Sequence, residues 1–474
     1  MRATTDAAEP EPASARDALY RPPAPYPVSP TRALWRAISS FERDLITLLP
    51  GEAYRPVDMM LGVSRRGIFL LNDPATVRRI MVEDRAIFPK SDLMVGALAP
   101  VVGDGLFVSE TPVWERHRRM IDPAFAHMRI GRAFAHMAAA VDDAERRLEE
   151  AAAAGTALSL DAELSGLTAD IVYRTIFSET LDGAAAREVF EAFNRFQHAV
   201  ANVQLDVLLL RRGFSAVRQP KAAHRAAARI RALMQAKIDA RRAHRGTPFD
   251  DLAGDILAAR DPDTGARFDD RAVLDEIATF FMAGHETTAS VLCWALFILS
   301  QQPRTVARMR AEIDATVGAG PIDAAAVKRL SFTRCVFRET LRLYPPVTFL
   351  ARVAARDARI GDLAIPRGAM VLVSPWTLHR CEGLWPAADR FDPDRFAPGR
   401  EEAIPAGASI PFGLGPRLCI GTAFATMEAV LILAAWIRRW DLEVEAPERV
   451  RPVARLTTRP AREIRFRLRP RRDG

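Results

Sequence analysis

Phe412-Gly413-Leu414-Gly415-Pro416-Arg417-Leu418-Cys419-Ile420-Gly421 sets one cysteine in a glycine-rich loop directly ahead of an amphipathic stretch, Thr422 to Trp440, with Ala, Leu, Ile and Trp at helical spacing. The amides of Ile420 and Gly421 therefore fall at a helix start, where free N–H groups and the helix dipole favour negative charge. A thiolate gains from that placement, because backbone donors and a positive field lower the proton affinity of sulfur. Gly413 and Gly415 lack Cβ atoms, so the loop can turn tightly and lie close to a flat ligand. Arg417 adds a fixed positive charge two residues before the sulfur.

A single thiolate cannot close a zinc site, which takes four ligands and shows paired Cys or His at short spacing. One axial thiolate does suit haem, whose porphyrin supplies the in-plane ligands. The alternative is an ordinary buried free thiol. As a whole, F-G-L-G-P-R-L-C-I-G resembles the haem-binding signature of the cytochrome P450 superfamily, in its soluble bacterial form. By that resemblance Cys419 is the iron ligand, and Phe412, Gly413 and Gly421 border a haem b (iron protoporphyrin IX).

Three further segments carry the resemblance. Ala283-Gly284-His285-Glu286-Thr287-Thr288 lies in an apolar stretch that opens after an Asp269-Asp270 start signal and closes before Pro303. At 1.5 Å rise per residue that helix is about 48 Å long, enough to cross a domain. Four successive polar residues sweep about 300° of helix circumference, so at least one faces the interior, where carboxylates and hydroxyls need partners. The motif is similar to the family's oxygen-activation segment. By that similarity Glu286 and Thr287 are the catalytic acid and alcohol, Ala283 and Gly284 lie against the cofactor, and Gly284 lets the helix open for dioxygen. His285-Glu286 also begins a zinc-protease H-E-x-x-H, but Ala289 stands where the second ligand belongs. The apolar run has the length of a membrane span, yet a His-Glu pair near its centre is costly in lipid.

Glu339-Thr340-Leu341-Arg342, ahead of Pro345-Pro346, puts Glu and Arg three apart on a helix that the prolines end. With Phe391-Asp392-Pro393-Asp394-Arg395-Phe396 it resembles the family's Glu-Arg-Arg triad, implying a folding role for Glu339, Arg342 and Arg395. Trp114-Glu115-Arg116-His117-Arg118 matches W-x-x-x-R, which makes Trp114 and Arg118 partners of the haem propionates. Arg417 and Arg352 resemble further propionate arginines, with Arg356 as the alternative register and His379 as another candidate. The resemblance spans roughly Pro56 to Pro470.

The composition fits this reading. Across 474 residues, 49% are hydrophobic and Lys plus Arg outnumber Asp plus Glu by 66 to 59, a net charge of +7. Length alone suggests about three domains. The resemblance instead implies one mainly α domain with a small β-rich lobe, at residues 51–474, behind a Pro-rich arm and first helix at 1–50. Four cysteines without C-x-x-C spacing argue against a disulfide framework, leaving Cys293, Cys335 and Cys381 as packed thiols. The amino-terminal stretch lacks an apolar h-region and reads as an extended arm through Pro22, Pro23, Pro25, Pro27 and Pro30, so a soluble, cytoplasmic monomer is expected. Val207 to Arg212 reads as a lid loop, with peripheral membrane contact as the other reading.

Gly67 to Leu71 reads as a strand before a turn at Asn72-Asp73-Pro74, Ile360 to Val373 as a hairpin around Pro366-Arg367-Gly368, and Ile464, Phe466 and Leu468 as a strand. Residues 129–155, 160–178, 186–206 and 218–245 have helical spacing. There is no internal repeat, G-x-G-x-x-G fingerprint or P-loop.

The resemblance thus implies a monooxygenase that inserts one atom of O2 into a C–H or C=C bond. Electrons come from a separate partner, a ferredoxin or flavodoxin with its NAD(P)H reductase. The positive charge suits an acidic partner, with Arg116 and Arg119 as candidates for the docking face. Nucleic-acid binding is the competing use of that charge, but the arginines are dispersed and no recognition motif accompanies them. Leu93, Met94, Val95, Leu98, Phe107, Phe280, Phe281, Val347, Phe349 and Leu350 fall in family-typical recognition segments and favour a hydrophobic substrate such as a fatty acid or terpenoid. A peroxide-driven peroxygenase and a non-catalytic haem ligand-binding protein are the alternatives.

Overall fold

The computed structural model describes residues 19–25, 27, 29, 44–62, 65–125, 127–181, 183–200, 219–244, 249–454 and 456–471. Val207 to Arg212 and Pro30 lie outside them. In chain order, strands β1 (Met59–Gly62) and β2 (Ile68–Leu71) lead into α1 (Pro74–Arg78), then α2 (Asp92–Val102), α3 (Val113–Ile121) and α4 (His127–Ala153). Next come β3 (Leu158–Ser159), α5 (Leu160–Phe177), α6 (Gly183–Val200), α7 (Lys221–Ala243), α8 (Leu252–Ala258) and α9 (Asp270–Ser300). The second half runs through α10 (Pro303–Val317), α11 (Ala324–Arg329), α12 (Ser331–Leu343), β4 (Leu350–Val353), β5 (Ala358–Ile360), β6 (Leu363–Ile365), β7 (Met370–Val373) and α13 (Pro375–Leu378). It closes with α14 (Thr422–Arg439), β8 (Trp440–Val444), β9 (Pro452–Ala454), β10 (Thr458–Pro460) and β11 (Arg465–Pro470).

Helix starts follow local side-chain chemistry. Asp269 accepts the Ala272 N–H at 2.7 Å to open α9, Asp251 accepts Gly254 N–H at 2.9 Å for α8, and Asp323 accepts Ala326 N–H at 2.6 Å for α11. Each such cap contributes about 1 kcal/mol. Pro74 follows the Asp73 cap and occupies the first helical turn, so Asn72-Asp73-Pro74 begins a helix rather than a turn.

Helix α9 is long and apolar enough to cross a membrane, but 83% of its most apolar window is buried inside the protein. Its length is explained by neighbours on all sides: α5, α7, α12, α14 and the β9–β10 hairpin. Trp294 stacks on Tyr344 with ring centroids 4.1 Å apart, and its indole N–H donates to the Thr458 carbonyl at 2.8 Å. Where α5 crosses, a Cβ on Gly284 would meet Val172 Cγ2 at 2.8 Å, so glycine is what permits the approach. The helix runs unbroken through this point, and Gly284 serves packing rather than the local opening expected of it.

The β lobe is a sheet in the order β1-β2-β7-β4, with β2 and β7 parallel, beside a β5–β6 hairpin. The tight turn falls at Gly361, and β7 leaves the hairpin to join the larger sheet, so the expected pairing around Pro366-Arg367-Gly368 does not form. The carboxyl-terminal strand is β11, paired with β8 and β3.

Glu339, Arg342 and Arg395 meet in the core. Glu339 binds Arg342 through two contacts of 2.7 and 2.6 Å, Arg395 lies 3.4 Å from the same carboxylate, and Arg342 donates to the carbonyls of His379, Ala388 and Arg390. The described part of the amino-terminal arm docks beside them. Leu19 and Tyr20 carbonyls accept from Arg390 and from the Phe391 N–H, and Pro23 accepts from the Tyr344 hydroxyl. Removing one member of a buried ion pair strands the other, at about 3–5 kcal/mol. Arg342→Ala is therefore expected to lose that much stability, read from the urea midpoint, with little soluble folded protein recovered.

Candidate functional site

The Cys419 loop is built from the core outward. His379 donates from Nδ1 to the Arg342 carbonyl at 3.2 Å and accepts the Ile410 N–H at Nε2 at 2.9 Å. With both ring nitrogens used and burial holding it neutral, its pKa pressed down to about 3, His379 is a core strut and not a propionate partner. From Ile410 the chain turns: Gly413 N–H donates to the Ile410 carbonyl at 3.0 Å and Cys419 N–H to the Phe412 carbonyl at 3.0 Å. Gly415 adopts φ +76°, and a Cβ there would lie 2.8 Å from Val82 Cγ2, so the turn admits no larger residue.

Cys419 is the one exposed thiol among four free cysteines; Cys293, Cys335 and Cys381 are buried. Although its side chain is accessible, the surrounding protein displaces enough water to push the thiol up, against the pull of the Gly421 N–H, the Thr422 hydroxyl and the Arg118 charge. The helix start thus supplies donors as expected but does not by itself ionise the sulfur. A bound metal would, because coordination deprotonates a thiol outright.

Around this loop stand the expected cations. Arg118 donates to the Leu418 carbonyl at 2.9 Å and pairs with Asp122 at 2.6 Å. Arg417 lies over the Trp114 ring at 4.5 Å and donates to the Ser109 carbonyl at 2.8 Å and to Glu110 at 3.1 Å. Arg352 is buried on β4 whereas Arg356 is exposed. A fourth cation was missed in the sequence: Lys90, bridged through its backbone to Arg352 and donating its ammonium to the Leu106 and Phe107 carbonyls. It is one of only four lysines in the chain, the one available clue.

Burial and the mutual repulsion of this cluster press Lys90 down to about 6 and Arg352 to about 10, with Glu110 the nearest offset to both. A cluster so short of negative charge fits a group that brings two carboxylates, as haem does. Arg116 and Arg119, by contrast, are taken up by Asp261, Asp263 and the Arg267 carbonyl, so they clamp the 260–267 turn rather than standing free for docking.

On α9, the Thr287 hydroxyl donates to the Ala283 carbonyl at 2.6 Å. Glu286 turns elsewhere, into a buried network: Thr457 Oγ1 at 2.6 Å, Arg459 Nε at 3.0 Å, and a second Arg459 contact, with Arg459 also holding Asp161. Burial raises this carboxyl, but the Arg459 charge and hydrogen bonds outweigh it and leave Glu286 below the ordinary carboxylate range. His285 packs between Phe193 and Phe281. Leu98, Val102, Val108 and Met282 form an apolar cluster with Met94, Val95, Phe107 and Leu456 against it. Phe280 and Phe281 belong to a different cluster, where Phe280 contacts Phe125 at 5.0 Å. Sequence reading missed Leu456, which the fold brings to the first cluster.

Glu428 on α14 is fully buried with neither carboxyl oxygen hydrogen-bonded, and burial pushes it from 4.5 up to about 8, with Thr288 pulling weakly the other way.

The family model described as cytochrome P450 matches residues 52–465. Cyclooctatin synthase of Streptomyces melanosporofaciens is 33% identical over 86% of this chain and 88% of its own. Pentalenene oxygenase of Streptomyces avermitilis is 32% identical over 85% of this chain and 87% of its own. Cyclooctat-9-en-7-ol 5-monooxygenase of Streptomyces melanosporofaciens is 33% identical over 87% and 86%. Among solved structures, the cytochrome P450DA heme domain superposes with a TM-score of 0.77 at 26% identity, covering 88% of this chain and 90% of that one.

A carboxyl whose folded value is raised contributes most to stability while it is protonated and loses that contribution as pH climbs toward the folded value. Wild type should therefore lose up to about 1.4 kcal/mol per pH unit at this site between roughly 4.5 and 8. Glu428→Gln should lack that slope, read from urea midpoints across the range.

Proposed function

The chain belongs to the cytochrome P450 family, and from that premise we propose a residue-level account of a haem-thiolate monooxygenase that puts one atom of O2 into a hydrophobic small molecule. Cys419 is the iron ligand. Trp114, Arg118, Arg352 and Arg417, joined by Lys90, grip the propionates of a haem b, with Phe412, Gly413, Gly421, Ala283 and Gly284 bordering it. The observation that carries this account is the cluster of buried Arg352 with partly buried Lys90 and Arg417 around the loop of the accessible thiol, short of negative charge.

When held by the Cys419 thiolate, haem would supply dioxygen binding and activation, and electron donation from that sulfur would favour O–O cleavage. The protein's part is to place protons and exclude water. Thr287 Oγ1 carries a hydrogen now given to the Ala283 carbonyl, and rotation about its χ1 redirects that hydrogen toward the reacting oxygen. Glu286, ionised under the influence of Arg459, would replenish it only after leaving its Arg459 and Thr457 contacts and taking up a proton from water, which it then passes to Thr287. Proton delivery thus includes breaking a buried ion pair. The apolar cluster of Leu98, Val102, Val108 and Met282 takes the substrate, a hydrocarbon-rich molecule of the kind that the names pentalenene and cyclooctat-9-en-7-ol denote.

Electrons arrive from a redox partner, for which a ferredoxin or flavodoxin with its NAD(P)H reductase is the reading that the net charge of +7 favours. We place this catalysis in one domain over residues 51–474, in the cytoplasm, with no nucleic-acid partner.

Cys419→Ser is expected to abolish the 450-nm band of the ferrous carbonyl adduct, and a retained band removes the ligand assignment. Thr287→Ala should keep that band and release hydrogen peroxide in place of most product when turned over with surrogate ferredoxin and reductase. Product yield per NADPH equal to wild type would eliminate the hydroxyl as a proton carrier.

A further inference from the structure

The segment joining α2 to α3 is held from two sides, and the groups on one of them belong to none of the expected chemistry. On the α9 side, two consecutive buried carboxylates take its backbone N–H groups: Asp275 accepts from Asp104 at 2.9 Å and Glu276 from Leu106 at 3.1 Å. The other oxygen of Glu276 meets His117 Nδ1 at 2.7 Å, and the His117 ring is fixed edge-on against Phe268 at 4.9 Å. Asp275 is itself held by Arg231 at 2.7 Å. The segment is pressed so close to α9 that a Cβ on Gly105 would lie 2.2 Å from Thr279 Oγ1 and 2.8 Å from the Asp275 carbonyl oxygen. On the opposite side its carbonyls accept cations of the thiol site: Leu106 and Phe107 from Lys90, and Ser109 from Arg417.

His117 sits on α3 between Trp114 and Arg118, so one carboxylate spans the helix bearing two of the site's groups and the segment steering two others. We propose that Glu276 is a positioning residue for cofactor retention: it fixes the distance between α3 and the 103–109 segment, and so sets the spacing of Trp114 and Arg118 against Lys90 and Arg417. A carboxylate with two acceptor oxygens satisfies both donors at once with a full negative charge; an amide keeps the Leu106 N–H and meets His117 only if the ring switches tautomer and accepts, and in either case the charge is lost. This inference rests on the propionate role given above to the four residues.

The test uses the full chain, as apoprotein and loaded with hemin, in the variants Glu276→Gln, His117→Leu and Gly105→Ala. Glu276→Gln should release hemin to excess apomyoglobin about tenfold faster, the scale of one charge-assisted hydrogen bond. Amide exchange over 103–109 should already be faster in its apoprotein. His117→Leu should release hemin faster yet keep the Leu106 amide protected, because Glu276 still accepts it, and the double variant should be no faster than Glu276→Gln alone. Gly105→Ala pushes the segment off α9 without touching an ionisable group, should reproduce both effects, and decides the matter if Glu276→Gln does not fold. Wild-type hemin release in Gly105→Ala and Glu276→Gln overturns the retention role whatever the segment does. Wild-type protein that takes up no hemin would instead remove the cofactor reading, while the apoprotein exchange data would still report on the clamp.

Discussion

A guanidinium with no access to solvent anchors the structure around the thiol. Arg342 spends its donors on Glu339 and on the carbonyls of His379, Ala388 and Arg390. His379 then hands the constraint on, from Arg342 at one nitrogen to the Ile410 amide at the other, and Ile410 opens the loop that ends in Cys419. Hydrogen bonds and the short backbone between them therefore link a fully buried charge in the core to the loop of the one accessible thiol. Such a network is stable only when complete, since a half-satisfied buried charge costs more than an apolar residue in its place.

Electrostatics divide the site into two regions of opposite character. Around the cysteine loop, Lys90, Arg352 and Arg417 carry more positive charge than their protein neighbours offset, the condition for holding an acidic group firmly. On α9 the charges are balanced within the protein: Glu286 and Asp161 both face Arg459. The first region has charge to spare for a bound acidic group; the second has none. That difference underlies the separate roles proposed for them, retention in one place and proton handling in the other.

Much of this was legible in the sequence because the informative groups are close together in the chain. The cysteine loop, the Glu339–Arg342 spacing and the α9 start at Asp269 each lie within a few residues, where helical periodicity and turn chemistry apply. What escaped depends on contacts across more than a hundred positions. Nothing near Glu286 announces Arg459, and nothing near Lys90 announces Arg417. Gly284 was legible as a necessary glycine, but its reason, the Val172 side chain, lies on another helix. His379 and Arg119 have the right residue types for surface chemistry; only their satisfied hydrogen bonds reveal struts. Strand order failed at β7 for a related reason, since a strand's partner is chosen by sheet topology and not by the nearest turn.

The carboxyl-terminal hairpin has two duties within four residues. Leu456 reaches the apolar cluster, while Thr457 and Arg459 grasp the acid. Apolar packing and the grip on the acid therefore share one short ribbon. On the proposed reading, a substitution that reshapes the cluster through this ribbon also shifts how readily the carboxylate lets go of its counter-ion, which couples substrate fit to proton handling.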